Sequence, residues 1–428
     1  MLVLHTAIAT AFMFGAGVAP ADATEAEKTT AAMESPMHIV FTIQPKAEQM
    51  QVFDWIEEGG WCTHIAMRPE ADEAVLEDLA GRGWSATLTL LAHPGSRKRQ
   101  WGDWDLAVPA VDPAIARFRR IFGDAFCWEA FTEDDSSGVG FSQILLREQP
   151  ETTAEAKALF DTYLDEAMAV VQRYPNVTSW GRSGYATTAH AFAAQGLDGV
   201  LVERANDDVD DLQTGIAFAR GAARQFGCDW GIDLSLWWGV IYGCVQHLPA
   251  LYHKQHLYLT YFSGADILSV EGGDLLYDFG KDEPTRLGKT LDAFGRFARR
   301  HRAGEVERPV AAMLPEGHGW LTPPYWRTTS ETWNYARIPY PQGYRGIDGF
   351  FGAAFPGSVY AMDPFPIGRY ASDETPASPF ALSCITPKYA PLPENVYDAE
   401  PPLPFGRYPD RDAARNALHE QAVETSVY

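Results

Sequence analysis

The sequence predicts an α/β fold, a closed (β/α)8 barrel followed by an irregular extension rich in proline and aromatic residues. Three observations lead there. Short apolar runs alternate with helical segments from about residue 38 to residue 304, the pattern of a parallel sheet with helical crossovers. The runs number about eight, which favours closure over an open sheet. Three of them end in a carboxylate: Phe126-Cys127-Trp128-Glu129, Gly199-Val200-Leu201-Val202-Glu203 and Ile267-Leu268-Ser269-Val270-Glu271.

Taken in order, His38-Ile39-Val40-Phe41-Thr42-Ile43 is the first strand, β-branched and aromatic, and closed by Pro45. A helix follows around Ala47 to Glu57. The second and third strands, Thr63 to Met67 and Ser85 to Leu91, flank the acidic helical segment Ala71 to Ala80. The fourth strand is Ala125 to Phe131. A long helical segment, Thr153 to Gln172, leads to the fifth strand, Val177 to Trp180. Tyr185 to Gln195 then leads to the sixth, Gly199 to Glu203. Asp210 to Phe226 precedes the seventh, Trp230 to Trp237, and Leu248 to Phe262 precedes the eighth, Ala265 to Glu271.

Strand parity sorts these residues into two faces, because successive side chains point to opposite sides. Asp233, Ser235 and Trp237 share a face opposite Ile232, Leu234 and Leu236; Ile267, Ser269 and Glu271 lie opposite Leu268 and Val270. The greasy face meets helices, and the polar face lines the lumen and its mouth.

Outside the barrel the texture differs. The apolar stretch from Leu2 to Val18, followed by Ala21-Asp22-Ala23, reads as a leader over residues 1–23 and predicts a secreted or periplasmic protein. Residues 24–37 are a polar linker. Beyond residue 305, Arg308 to Leu314 reads as a ninth strand. After it lie well over half of the chain's 29 prolines, which exclude regular helix except for a short one near Asp410 to Ala422. The extension, 305–428, holds too many aromatic rings for an ordinary disordered tail and is expected to drape over the barrel.

The formal charge of -23 opposes binding to nucleic acid or to an anionic membrane, both of which recruit basic surfaces. The five cysteines are scattered, with no paired metal-ligand spacing, so neither a zinc site nor a disulfide framework is expected, although one bridge remains open. No cofactor is expected: P-loop, GxGxxG, HExxH and GxSxG patterns are missing from the required contexts. The acidic runs Glu133-Asp134-Asp135 and Asn206-Asp207-Asp208 could hold calcium but read more simply as solvated strand caps.

Carboxylates at the carboxyl ends of several barrel strands are the arrangement that glycosidic bond cleavage needs: one group protonates the leaving oxygen, the other attacks or activates water. Glu203 is two strands from Glu129 and two from Glu271, so either pair can converge. Glu129 and Glu271 lie across the barrel from one another, out of mutual reach unless a loop intervenes. Glu203 with Glu271 is the expected catalytic pair, and Glu129 the substitute. Asp233 reads as a lumen carboxylate, and for each Glu the ordinary alternative is a salt bridge to an arginine such as Arg182 or Arg204. Trp128, Trp180, Trp237, Trp238, Tyr242 and, in the extension, His318 and Trp320 are candidates for stacking on sugar rings. Arg182, Asp233 and His247 complete the expected carbohydrate-binding set.

The segments Ala219 to Gly227, Trp230-Gly231-Ile232-Asp233 and Tyr261 to Asp266 resemble the late barrel of secreted bacterial glycoside hydrolases. Pro309-Val310-Ala311-Ala312-Met313-Leu314-Pro315 is similar to the segment by which family 42-like β-galactosidases leave the barrel. Those enzymes place an Asn before the acid/base Glu of the fourth strand, where this chain has Trp128. They take the nucleophile from the seventh strand, where this chain offers Asp233. The resemblance therefore implies the general class, a glycosidase acting on an oligo- or polysaccharide. The alternatives are a non-catalytic carbohydrate-binding barrel, and a lyase or epimerase using Tyr242 or His247 as base.

Overall fold

The computed structural model describes residues 37–93, 97–100, 103–107, 110–132, 141–184, 188–205, 209–236, 248–301, 310–314 and 382–385. The leader, the linker, the acidic runs, the helix expected near 410–422 and most of the extension lie outside them. So do Trp237, Trp238, Tyr242, His247, His318 and Trp320.

Strands run in chain order as β1 (His38–Thr42), β2 (His64–Met67), β3 (Ser85–Thr89), β4 (Arg97–Gln100), β5 (Asp103–Ala107), β6 (Phe126–Thr132), β7 (Thr178–Ser183), β8 (Gly199–Ala205), β9 (Asp229–Ser235) and β10 (Ile267–Val270). All but β4 and β5 pair in parallel and close, in the order β1-β2-β3-β6-β7-β8-β9-β10, into one barrel. The predicted (β/α)8 architecture is the observed one. β4 and β5 form a separate antiparallel hairpin that the sequence did not announce.

Helices α1 (Gln51–Gly59), α2 (Glu73–Gly81), α3 (Val111–Phe122), α4 (Phe141–Glu148), α5 (Thr153–Val171), α6 (Ala189–Ala194), α7 (Val209–Phe226), α8 (Leu248–Phe262), α9 (Gly273–Leu276) and α10 (Arg286–Arg300) supply the outer layer. Local chemistry sets several starts. Asp72 accepts from the Ala74 N–H at 2.9 Å to begin α2. Thr152 and Glu155 exchange a reciprocal capping box at α5, and Thr285 accepts from the Gly288 N–H at 3.2 Å to begin α10. The expected ninth strand exists as β13 (Val310–Met313), but it pairs in parallel with β14 (Leu382–Ile385) rather than with the barrel. Between α9 and α10 the short strands β11 (Tyr277–Asp278) and β12 (Glu283–Pro284) pair with each other.

Two apolar cores follow from strand parity. Phe41, Ile65, Leu88, Trp128, Val202, Ile232, Leu234, Leu268 and Val270 face outward into one continuous cluster with the helices. Val40, Ala66, Trp180, Leu201 and Ile267 form a second, smaller cluster inside the lumen. β9 and β10 approach so closely that a Cβ at Gly231 would lie 2.4 Å from the Ile267 carbonyl oxygen, so only glycine fits there. Among the described residues no helix is long and apolar enough to cross a membrane.

Candidate active site

The lumen is floored by aromatic and neutral polar groups. His64 stacks on Trp180, with ring centroids 5.8 Å apart, and shares hydrogen bonds with His38 on one ring nitrogen and with Thr87 on the other, the latter at 2.6 Å. Burial holds the His64 imidazole well below its ordinary proton affinity, and neighbouring His38 lowers it further. Trp180, expected to stack on sugar, is instead 6% exposed within this floor.

Above the floor stands a charged layer built on Arg182. The sequence reading ended the fifth strand at Trp180; β7 continues through Ser183, which puts Arg182 inside the sheet on the same inward face as Trp180. Its register partner on β8 is Leu201, whose own partner on β9 is Gly231. No side chain from β9 therefore stands in its way at this level. The guanidinium crosses the lumen and joins three strands. Nε donates to Glu129 Oε1 at 2.8 Å and Nη2 to Glu129 Oε2 at 2.7 Å, a bidentate fork. Nη1 donates to both Asp233 and Glu271. Thr89 Oγ1 also reaches Glu129, at 3.5 Å.

Two expectations change in consequence. Glu129 and Glu271, opposed across the barrel, do come together, because the long arginine side chain spans the gap that backbone spacing alone leaves open. Arg182, expected among the sugar ligands, is 2% exposed and committed to carboxylates. Asp233, at 0% exposure, carries a carboxyl pushed well up, first by burial and further by Glu271 and Glu129, although Arg182 opposes the shift. Its Oδ1 and the Ser235 hydroxyl, also inward, are buried without a hydrogen-bond partner among the described residues.

The four acidic groups differ in access. Side-chain exposure is 4% at Glu129, 0% at Asp233 and 15% at Glu271. Glu203 is buried, at register level with Asp233, on the strand between Arg182 and Asp233. Glu271 sits just past the end of β10, where its N–H donates to the Leu234 carbonyl at 2.9 Å. Gly272 then adopts a left-handed conformation, φ 82°, that turns the chain away into α9. Glu203 is level with Asp233 and Ser269, so Glu271 stands one inward position further toward the mouth; two strand spacings of about 4.8 Å and two residues of about 3.3 Å put the two backbone positions roughly 12 Å apart across β9.

Trp128 is the clear departure. Adjacent to Glu129, it takes the opposite face: its indole N–H donates to the Leu90 carbonyl at 2.7 Å, and its ring packs edge-on against Tyr174. It is a packing residue of the outer layer. Among the described residues no group of three or more His, Cys, Asp or Glu side chains is arranged to hold a metal. Cys62, Cys127 and Cys228 are free thiols.

No protein-family model and no curated protein matches the sequence, so the likeness to family 42-like β-galactosidases rests on the quoted motifs alone. Solved structures that align with the chain include the catalytic module of a family 98 glycoside hydrolase from Streptococcus pneumoniae TIGR4, with TM-score 0.43 and 10% identity over 65% of this chain. The aligned region spans 55% of that module's length. An α-L-fucosidase from Paenibacillus thiaminolyticus aligns with TM-score 0.39 and 12% identity, covering 65% of this chain and 52% of the other. An aldolase from Escherichia coli K12 aligns with TM-score 0.34 and 11% identity, covering 64% of this chain and 91% of the other. Likeness at this level carries no activity over to this chain.

Proposed function

We propose that the protein is a glycoside hydrolase in which Glu203 and Glu271 act as the carboxyl pair on an oligo- or polysaccharide. The observation that supports this reading is the placement of two acidic groups toward the carboxyl ends of strands two apart, both on the inward face, with Glu203 level with Asp233 of the charged layer and Glu271 joined to it through Arg182. Barrel enzymes build their sites at that end, and sugar cleavage needs two carboxyl groups on either side of the bond. Glu129 and Asp233, both forked or capped by Arg182, support the site from below. Trp237, Trp238, Tyr242, His247, His318 and Trp320 remain the proposed sugar contacts on sequence grounds.

The test is reducing-end release by purified protein across a panel of polysaccharides. Wild type should release reducing ends from at least one of them. Glu203→Gln and Glu271→Gln should each lower kcat by about 100-fold or more, with unchanged circular dichroism. Full turnover in either variant removes that residue from the chemistry. A second reading, a non-catalytic sugar-binding barrel, draws on the ion pairing of Glu271, since a carboxylate held by arginine can serve simply as a hydroxyl acceptor. Sugar binding without release by any panel member would select it.

A further inference from the structure

We propose that Ser235, together with Oδ1 of Asp233, holds one hydroxyl of a sugar bound between Glu203 and Glu271, and so helps to set which sugar the site accepts. The proposal deepens the hydrolase reading and rests on it for the place where sugar enters, whichever carboxyl group gives up the proton.

Strand parity and register put both atoms there. Leu234 and Leu236 pack in the outer cluster, so Asp233 and Ser235 are successive inward residues of β9, the strand between those of Glu203 and Glu271. Asp233 is level with Glu203. Glu271 follows the Val270–Leu234 pair and donates its N–H to the Leu234 carbonyl, which sets it level with Ser235. Both β9 residues are 0% exposed, and neither Asp233 Oδ1 nor Ser235 Oγ has a hydrogen-bond partner among the described residues. A hydroxyl taken out of water without a partner lowers stability, whereas an alanine in the same place does not. A ligand that brings the missing partner offsets that loss. A sugar hydroxyl both donates and accepts, so one such group can serve an acceptor and a donor at once. Oδ2 of Asp233 accepts from Arg182 and burial favours the protonated carboxyl, which leaves Oδ1 to carry the proton and donate it. Ser235 Oγ then accepts.

The experiment separates a ligand contact from a packing role. Mono- and oligosaccharides are titrated into wild-type protein by calorimetry, and the tightest binder becomes the probe. Ser235→Ala should bind that probe about tenfold more weakly, yet melt about 1–3 °C higher than wild type without sugar, because the unpaired hydroxyl is gone. Thr260→Val removes a buried unpaired hydroxyl from α8, in the outer helix layer, and should raise the melting temperature similarly while leaving the affinity unchanged. Among monodeoxy analogues of the probe, one should bind wild type and Ser235→Ala alike, since the hydroxyl it lacks is the one that Ser235 holds. The proposal is overturned by a lower melting temperature of ligand-free Ser235→Ala, by an unchanged affinity, by an equal loss of affinity in Thr260→Val, or by sensitivity to Ser235→Ala that persists in every analogue. Wild type that binds no saccharide defeats the sugar reading itself, and this proposal with it; wild type that binds sugar but ignores the change at Ser235 defeats this proposal alone.

Discussion

The charged layer of the lumen and the core face of α8 both bury polar groups out of reach of water, yet they treat them in opposite ways. In the lumen, Arg182 donates to Glu129, Asp233 and Glu271. On α8, His253 is fully buried and, among the described residues, neither ring nitrogen has a hydrogen-bond partner; nor does the hydroxyl of Thr260, two turns further on the same face. The difference follows from charge. An ionised group removed from water loses far more than a neutral one, so it is tolerated only with a counter-charge, while a neutral imidazole or hydroxyl can persist at a cost of a few kcal/mol. Polar groups kept in place by partners mark a built site; on α8, polar groups kept without partners mark a packing compromise.

The strongest way to break that contrast is to remove the hub. Arg182→Met should destabilise the fold by about 3–5 kcal/mol, because buried Glu129 and partly buried Glu271 would lose their cation and Asp233 its donor. Urea unfolding would measure it. A loss below about 1 kcal/mol would mean that the lumen is wet enough to screen the charges and that the network is incidental.

The second prediction sharpens the other side. His253→Leu removes two unpaired nitrogens and keeps the bulk, so it should stabilise the protein at neutral pH by about 1–2 kcal/mol. It should also change the acid response. Burial lowers the folded-state proton affinity of His253 to about 3, against about 6.5 in an unfolded chain. Between those values the unfolded state binds more protons, so stability is fully present above about pH 6.5 and is lost as pH falls toward 3. His64, lowered in the same direction by burial, adds to the slope. Melting temperature followed from pH 7 to pH 4 should fall less steeply in His253→Leu than in wild type. A destabilised variant with an unchanged slope would show that the imidazole is satisfied after all.

The barrel was legible in the sequence because each wall strand carries its own alternation or apolar run, and the strands recur at helical intervals. Glu203, Glu271 and Asp233 were legible for the same reason: strand-end position and parity both show in the residues. The hub was not. Gly181-Arg182-Ser183 reads as the start of a loop, and the glycine has a packing cause visible only in three dimensions: a Cβ at Gly181 would lie 2.9 Å from Leu197 and 3.0 Å from Phe192 of α6. An arginine inside a strand becomes sensible only once the carboxylates facing it are known. Trp128 is a different case, since parity against Glu129 already assigns it to the outer face. α3 also had its signal in the spacing of Ala114, Ile115, Phe118 and Phe122, all buried on one side. The β4–β5 hairpin had none, because Arg97-Lys98-Arg99-Gln100 shows no apolar alternation.

The smallest expected effect probes Asp233, where the two modes of burial meet: Oδ2 accepts from Arg182 while Oδ1 has no hydrogen-bond partner among the described residues. Its carboxyl is pushed well up by burial first and by Glu271 and Glu129 further, against the pull of Arg182 and of the Ser269 hydroxyl. The folded state therefore holds a proton that the unfolded chain, with an ordinary aspartate near 3.9, has already released. Stability from this group is present below that ordinary value and declines as pH rises toward the folded one, the reverse of the histidine slope. Asp233→Asn places a neutral side chain of the same shape there and keeps an acceptor for Nη1. Its stability at neutral pH should stay within about 1 kcal/mol of wild type, and the decline with rising pH above 4 should flatten. If the variant instead loses as much as Arg182→Met, Asp233 is an ionised third arm of the network, and the lumen holds more negative charge than one guanidinium offsets.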